Sequence, residues 1–146
     1  MKKTALLLSI MTLLLFVLPA PGQSDDEIAH PELQRITAKE LKQLMETNNG
    51  YIIIDTRDSG SYSSEHIKGA INIHYDPSGD PMSRKMTLMA VPMDRLLILY
   101  CDCEDDSNSA ALAMELYDLG VDMDMLKILS RGTLSWKEAG YPLVTE

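Results

Sequence analysis

Two cysteines, Cys101 and Cys103, are the residues of this sequence whose type and spacing most directly suggest chemistry. The thiolate form of cysteine is a nucleophile, and two neighbouring thiols can also exchange with a disulfide. A Cys-x-Cys pair closes too small a ring to staple distant segments of a fold, so we interpret the pair as chemical rather than architectural. Nucleophilic sulfur chemistry and thiol–disulfide exchange are therefore the two reactions to consider.

The loop that carries the cysteines is strongly acidic and contains neither Arg nor Lys. We expect the substrate-binding loop to consist of Asp102, Cys103, Glu104, Asp105, Asp106, Ser107, Asn108 and Ser109. Carboxylates close to a thiol oppose formation of the thiolate and repel anions. The missing cation also argues against phosphatase or arsenate-reductase chemistry, which needs a cationic clamp on a dianion.

Four short apolar runs predict the strands that would position this loop. They span residues 51–54, 70–73, 96–100 and 125–129. Continuous runs of this kind fit strands that are buried on both faces, as in a parallel sheet. The run at 96–100 ends directly before Cys101. We therefore expect this cysteine at the carboxyl end of a strand, which is where ligands bind in open α/β sheets.

Helical patterns separate the predicted strands. Thr37 and Glu40 form a capping box that opens the first helix. Two more helices are predicted at 109–119 and 132–139, each closed by a glycine. Strands that alternate with helices predict an α/β fold with a parallel sheet, and we expect a single domain at residues 34–144.

A further helix carries four methionines, which follow a capping aspartate and a proline. Met82, Met86, Met89 and Met93 fall at helical spacing. Thioether sulfurs at this spacing suggest either a copper site or a pliable stripe that faces the core. We favour the core-facing stripe, partly because Pro92 should break the helix before Met93.

Residues 1–22 have the pattern of a signal peptide. Lys2 and Lys3 precede an almost unbroken apolar run at 5–18, and small residues then allow cleavage before Gln23. The apolar run is shorter than the ~20 residues that a transmembrane helix needs. An uncleaved N-terminal anchor remains the alternative.

The mature chain would begin with a flexible acidic leader at residues 23–33 and would be acidic throughout. Removing Lys2 and Lys3 leaves 11 basic and 22 acidic residues, a net charge of −11. This charge argues against binding to nucleic acid and to anionic membrane surfaces. We expect a periplasmic or secreted protein with no stable membrane association after signal cleavage.

Three separated segments together resemble the signatures of the rhodanese-like domain family. The first joins an Asp-x-Arg at 55–57 to a His-Ile-x-Gly-Ala turn at 66–70. The second is the strand and cysteine at 97–101, and the third spans 129–143. The family usually has Gly-Gly where this chain has Arg131-Gly132. The order and spacing of the three segments cover nearly the whole mature chain.

This resemblance implies a five-stranded parallel sheet flanked by helices on both faces. It also implies a catalytic cysteine whose thiolate takes a sulfane sulfur, becomes a persulfide and passes the sulfur to an acceptor thiol or cyanide. The backbone N–H groups of the loop and the N-terminus of the next helix would stabilise that group. Counted from the strand, the family's cysteine is Cys101, which we favour; counted back from the following helix, it is Cys103. A subset of the family carries a Cys-x-Cys variant here.

The charge of the loop departs from the family, which often has an Arg at this place to hold anionic donors. Each exposed like charge within ~4 Å costs roughly 1 kcal/mol in water, and a helix N-terminus offsets about 0.5–1 kcal/mol. We therefore expect weak activity on thiosulfate and a preference for a neutral, polysulfide-like or protein-bound donor. Asp55 and Arg57 are expected to form a supporting structural pair, and Arg57 could supply charge that the loop lacks.

Three hypotheses remain open on the sequence alone. The first is a sulfurtransferase or sulfur carrier of the cell envelope, with a small sulfur donor or persulfide protein and a thiol acceptor as partners. The second is a catalytically inactive binding module, since a fold does not imply a function. The third is a thiol–disulfide redox protein that uses both cysteines. We expect neither a metal nor another cofactor, because the histidines and the acidic loop lack metal-ligand spacing.

Overall fold

The computed structural model describes residues 28–47 and 50–146, so the predicted signal peptide and residues 23–27 of the leader lie outside the described residues. The strands are β1 (Gln34–Ile36), β2 (Tyr51–Asp55), β3 (Ile71–Asn72), β4 (Leu96–Tyr100) and β5 (Leu126–Leu129). The helices are α1 (Ala38–Thr47), α2 (Ser59–Ser64), α3 (Pro81–Leu88), α4 (Ser107–Asp118) and α5 (Gly132–Glu138), with a 3₁₀ turn at Met123–Met125. None of the helices in this part of the chain is long and apolar enough to cross a membrane.

All five strands are parallel and lie in the order β1-β5-β4-β2-β3. Strand β4 is the middle strand, hydrogen-bonded to β5 on one side and to β2 on the other. Parallel neighbours on both sides require a strand that is apolar on both faces, and β4 meets this requirement because four of its five residues are buried. The predicted five-stranded parallel α/β fold is confirmed.

Alternate side chains of the central strands enter two separate cores. Ile98 and Tyr100 of β4 face a core that is closed by α1 and α5, where Leu41 and Trp136 are buried. Leu97 and Leu99 face the opposite core, which is closed by α3 and α4. Helices therefore cover both faces of the sheet, as predicted.

Local capping sets the start of the first helix. The Thr37 backbone N–H donates to Glu40 Oε2 at 2.8 Å, and the Glu40 N–H donates to Thr37 Oγ1 at 3.2 Å. This reciprocal pair is the predicted capping box. Just before it, Ala29 and Leu33, which lie in the segment predicted as the leader, pack against the α3–α4 core.

The predicted core-facing methionine stripe is wrong for α3. Met82, Met86 and Met89 are 64%, 68% and 62% exposed. The opposite side of the helix provides the contacts to the protein, because Leu88 is fully buried and Arg84 is bonded to a glutamate of α4. Helical spacing placed the methionines on one face but could not tell which face the sheet would cover.

Candidate active site at the end of strand β4

Cys101 is the first residue after β4 and is only 1% exposed. Its carbonyl oxygen accepts a hydrogen bond from the backbone N–H of Thr133, at the start of α5, at 3.0 Å. The cysteine therefore lies at the carboxyl end of the middle strand, between the loop that leads to α4 and the first turn of α5. This is the place where open α/β sheets bind their ligands.

The two cysteine sulfurs are joined to each other in a disulfide. Cys103 is partly exposed, whereas Cys101 is buried. The Cys103 backbone N–H lies 3.4 Å from Cys101 Sγ, and Ser109 Oγ lies 3.7 Å from the same sulfur. The Cys103 N–H can donate a hydrogen bond to a thiolate or a persulfide on Cys101, whereas the Ser109 hydroxyl donates to the Asp106 carbonyl at 2.9 Å and would have to turn to do the same. The geometry brings together Cys101, Cys103 and Ser109 from the predicted site.

Asp106 anchors the loop from inside and does not act as one of its surface charges. It is 5% exposed and adopts a left-handed backbone conformation with φ of 58°. Its Oδ1 accepts a hydrogen bond from the Arg131 backbone N–H at 2.8 Å, and its Oδ2 lies 3.9 Å from Arg35 Nε. Burial raises the pKa of Asp106, and the Arg131 hydrogen bond and Arg35 offset only part of that effect. Asp106 thus ties the cysteine loop to the segment after β5.

The remaining carboxylates of the loop are on the surface. Asp102, Glu104 and Asp105 are exposed, and Ser107 and Asn108 are partly buried. Exposed carboxylates are well hydrated, so each exerts a moderate field on the cysteines, but all three act with the same sign. An anionic substrate that approaches the cysteines meets this negative rim.

Arg57 borders the cysteine loop, but its positive charge is paired with an acidic residue and is not available to hold an anionic substrate. It lines an open pocket of about 270 Å³ together with Asp102, Glu104 and Lys137. Its guanidinium donates to the Asp55 carboxylate at 2.7 Å and to the Glu65 carbonyl at 2.7 Å. The second cation of the pocket, Lys137, is bonded to the Glu65 carboxylate. Both cations of this pocket are therefore neutralised by acidic partners.

Asp55 and Arg57 belong to a buried cluster beneath the site. Tyr100, the residue before Cys101, donates its hydroxyl to Asp55 Oδ2 at 2.6 Å and accepts the Ile67 backbone N–H at 3.1 Å. Burial and the neighbouring Asp55 raise the pKa of Tyr100, so the phenol keeps its proton. Burial lowers the pKa of Arg57, but the bonds to Asp55 outweigh it and leave the pKa raised. The cluster fixes the residue that leads into the cysteine and does not touch either sulfur.

Gly132 packs its backbone directly against the cysteine. A Cβ at this position would lie 1.7 Å from the carbonyl oxygen of Cys101, and the glycine has a φ of 40°. Arg131 before it also has a positive φ, of 55°. Glycine adopts a positive φ at little cost, so the two successive positive-φ residues explain why the Gly-Gly pair of the rhodanese-like signature suits positions 131 and 132. The sequence places these residues only in the closing signature and carries no local sign of their contact with the cysteine loop.

Sequence reasoning also missed the structural role of Arg35. Its guanidinium donates to the backbone carbonyls of His30 and Leu33 at 2.7 and 2.8 Å, and its buried Nε has no hydrogen-bond partner among the described residues. No local motif marks this residue, because its partners come from the segment before β1 and from the cysteine loop. In the described part of the chain, no group of three or more His, Cys, Asp or Glu side chains is placed to hold a metal ion.

Comparison with known proteins identifies the fold around this site. The Rhodanese-like domain family matches residues 37–139 of the chain. A rhodanese-related protein from Thermoplasma volcanium is similar in structure, with 24% identity and a TM-score of 0.62 over 77% of this chain and 99% of that one. The rhodanese-like domain of an Anabaena protein has 22% identity and a TM-score of 0.62 over 77% of this chain and 79% of that one.

A thiosulfate sulfurtransferase from Pseudomonas aeruginosa is also similar, with 19% identity and a TM-score of 0.58. The similarity covers 77% of this chain but 20% of that larger protein. At these identities the structural neighbours show a shared fold and nothing finer. No curated protein sequence matches the chain at a significant level.

Proposed function

This chain belongs to the rhodanese-like domain family, and from that premise we propose that it moves sulfane sulfur through a persulfide on Cys101, as a sulfurtransferase or sulfur carrier. The observation that carries the proposal is the position of the Cys101 sulfur. It lies at the end of the middle strand, within reach of the Cys103 N–H and the Ser109 hydroxyl. The N–H would stabilise negative charge on that sulfur, and the hydroxyl would add to this once it turned from the Asp106 carbonyl.

The reaction starts from the reduced protein and has two steps. In the first, the Cys101 thiolate attacks the terminal sulfane sulfur of a donor; a new S–S bond forms, and the bond to the donor breaks, which leaves the donor as a thiolate. In the second, an acceptor thiolate attacks the outer sulfur of the Cys101 persulfide and takes it, and Cys101 becomes a thiolate again. No net oxidation of the protein occurs.

The charge around the site favours particular donors. The loop supplies no cation, and the two cations of the adjoining pocket are occupied by acidic partners. Thiosulfate carries two negative charges and is therefore disfavoured relative to a neutral, polysulfide-like or protein-bound donor. The acceptor is a thiol on a small molecule or a protein.

The sequence supports the proposed location and partners. The signal-like N-terminus supports export to the periplasm or the exterior, and the net charge of the chain, −9, supports the absence of a nucleic-acid partner. We propose no stable membrane association after cleavage of the signal, and no cofactor.

Mass spectrometry of the intact reduced protein tests this proposal. Residues 23–146 would be treated with inorganic polysulfide, with Cys101→Ser and Cys103→Ser variants beside the wild type. The expected result is a sulfur adduct that forms on the Cys103→Ser variant, is absent from Cys101→Ser and is transferred to an added thiol. An adduct only on the Cys101→Ser variant would assign the role to Cys103. No adduct on any fully reduced chain, either with this anionic donor or with a persulfidated protein as the donor, would favour an inactive binding module.

The disulfide favours a second candidate function, a thiol–disulfide redox protein. Cys101 and Cys103 are already bonded, and Cys103 is accessible to an attacking thiolate. This function needs no sulfane sulfur. It would be supported if the pair exchanged electrons with a dithiol at equilibrium while neither single variant formed a sulfur adduct.

A further inference from the structure

The sulfur of Cys103 can reach the sulfur of Cys101 without any rearrangement of the sheet or the helices. The two sulfurs are bonded across a single intervening residue, and the Cα atoms are 5.6 Å apart. A thiol at Cys103 therefore has a near-attack position on Cys101 Sγ itself, and it can displace whatever group is attached to that sulfur. In the proposed sulfur transfer, that attached group is the outer sulfur of a persulfide.

We propose that Cys103 resolves the Cys101 persulfide and releases its outer sulfur as hydrosulfide, so that the domain works as a persulfide reductase. This inference rests on the proposed function, because it needs a persulfide on Cys101. The Cys103 thiol passes its proton to the outer sulfur of the persulfide and, as a thiolate, attacks Cys101 Sγ; the Cys101–Cys103 disulfide forms, and the bond to the outer sulfur breaks with its electron pair, giving HS⁻. The sulfane sulfur is reduced, and the two cysteines together supply the two electrons.

A dithiol reductant completes the cycle, and the difference in burial between the cysteines sets the direction of its attack. Cys103 is partly exposed, whereas Cys101 is 1% exposed. An incoming thiolate therefore attacks the Cys103 sulfur, and Cys101 leaves as the thiolate, next to the Ser109 hydroxyl. The second thiol of the reductant then releases Cys103 and becomes oxidised to a disulfide. The net reaction is one sulfane sulfur and one dithiol converted to hydrosulfide and one disulfide.

The charge of the loop fits this reaction better than it fits the storage of a persulfide. A persulfide is anionic near neutral pH, and so is the hydrosulfide that leaves. Asp102, Glu104 and Asp105 form an exposed negative rim around the cysteines. Like charges raise the free energy of a persulfide anion held at the site and favour departure of HS⁻ into water. The acidic loop thus opposes retention of the sulfur and promotes its release.

Anaerobic quenched-mixing experiments on the reduced mature chain test the inference. Inorganic polysulfide is the donor, mass spectrometry of acid-quenched samples follows the protein, and a sulfide assay, corrected for the sulfide that the Cys103→Ser variant releases while it forms its adduct, follows the product. We expect the wild type to gain one sulfur transiently and then to lose two hydrogen masses, with one sulfide released per disulfide formed. Cys103→Ser and Cys103→Ala should keep the adduct at least about tenfold longer, because they lack the intramolecular nucleophile.

The other outcomes separate this inference from the proposed function. A wild-type adduct as long-lived as that of Cys103→Ser would overturn the reductase and leave sulfur transfer intact. A disulfide formed without an equal amount of sulfide would also overturn it and would indicate simple thiol oxidation. If the Cys103 variants form no adduct at all, the persulfide on Cys101 and the reductase both fail. The Cys101→Ser variant is the control for adducts formed elsewhere.

Discussion

The carboxylate of Asp106 accepts a hydrogen bond from the backbone N–H of Arg131 at 2.8 Å, across 25 residues of sequence. Both residues have left-handed backbones, with φ of 58° and 55°. Asp106 ends the cysteine loop, and Arg131 precedes the helix that covers Cys101. One hydrogen bond therefore holds together the two segments that enclose the cysteine, each in a conformation that non-glycine residues seldom adopt.

Asp106→Ala should destabilise the fold, whereas Asp106→Asn should not. Alanine removes the acceptor for the Arg131 N–H and tolerates a left-handed backbone less well than aspartate does. We therefore expect the free energy of unfolding to fall by about 2 kcal/mol. Asparagine keeps an acceptor oxygen and accepts the same backbone conformation. Urea denaturation of the oxidised proteins at neutral pH gives both values. Equal stabilities for the two variants would contradict the anchoring role.

Because Asp106 can titrate, the difference in the free energy of unfolding between the wild type and Asp106→Asn should depend on pH. Burial raises the pKa of Asp106 above its ordinary value of 3.8, so the folded protein binds this proton more tightly than the unfolded chain does. Asp106 therefore stabilises the fold below that ordinary value and loses this contribution as pH rises through the raised pKa. Relative to Asp106→Asn, the wild type should gain stability as pH falls through this window. If the difference in stability between the wild type and Asp106→Asn did not change with pH, Asp106 would not be buried as a charged group.

Gly132→Ala should be strongly destabilising. Its Cβ would lie 1.7 Å from the Cys101 carbonyl oxygen, and this contact can be relieved only by moving the backbone. We expect a loss of about 3 kcal/mol or more in the free energy of unfolding. Gly140→Ala is the matched control, because Gly140 also has a positive φ but has nothing within 4 Å of the added Cβ. The control should lose only about 1–2 kcal/mol, the cost of a left-handed alanine. Similar losses in the two variants would mean that the contact with Cys101 is not tight.

Arg57→Ala should cost far more stability than the loss of a surface ion pair. Within residues 28–47 and 50–146, it leaves the fully buried Asp55 carboxylate with Tyr100 and the Arg57-position backbone N–H as its hydrogen-bond partners. Removing one partner of a buried pair costs about 3–5 kcal/mol. Glu138→Gln breaks the exposed pair with Arg131 and should leave the midpoint of urea denaturation unchanged. A small effect of Arg57→Ala on stability with a large effect on sulfur transfer would instead indicate a role in the reaction.

Reversing one charge in the loop should change the preference for the donor. Glu104→Arg places a cation in the pocket beside the cysteines, where Glu104 is exposed. We expect kcat/KM for thiosulfate to rise on the order of tenfold, since one reversed charge nearby is worth ~1–2 kcal/mol. Asp118→Arg makes the same charge change at the far end of α4, roughly 16 Å along the helix and beyond the Debye length at physiological salt. An equal gain from both variants would attribute the effect to net charge and not to the loop.

Much of the architecture could be predicted from local sequence. The apolar runs at 51–54, 96–100 and 125–129 correspond to β2, β4 and β5 within a residue or two. Strands that are buried on both faces appear in the sequence as unbroken runs of apolar residues, and such runs can be recognised without any knowledge of the neighbouring strands. Strand β1 and helix α2 show no such apolar run, because β1 has three residues and α2 buries none of its six.

The placement of Cys101 at the end of a strand came from the sequence alone, because the apolar run ends at the residue before it. Which methionines face water, which carboxylate of the loop is buried, and how Gly132 approaches Cys101 were decided only by the tertiary structure. Each of these depends on contacts between residues that are far apart in the chain. Periodicity and propensity indicate how polar and apolar residues are distributed between the faces of a single helix or strand. They do not report which distant surface will cover a given side chain, and that surface determines burial and charge.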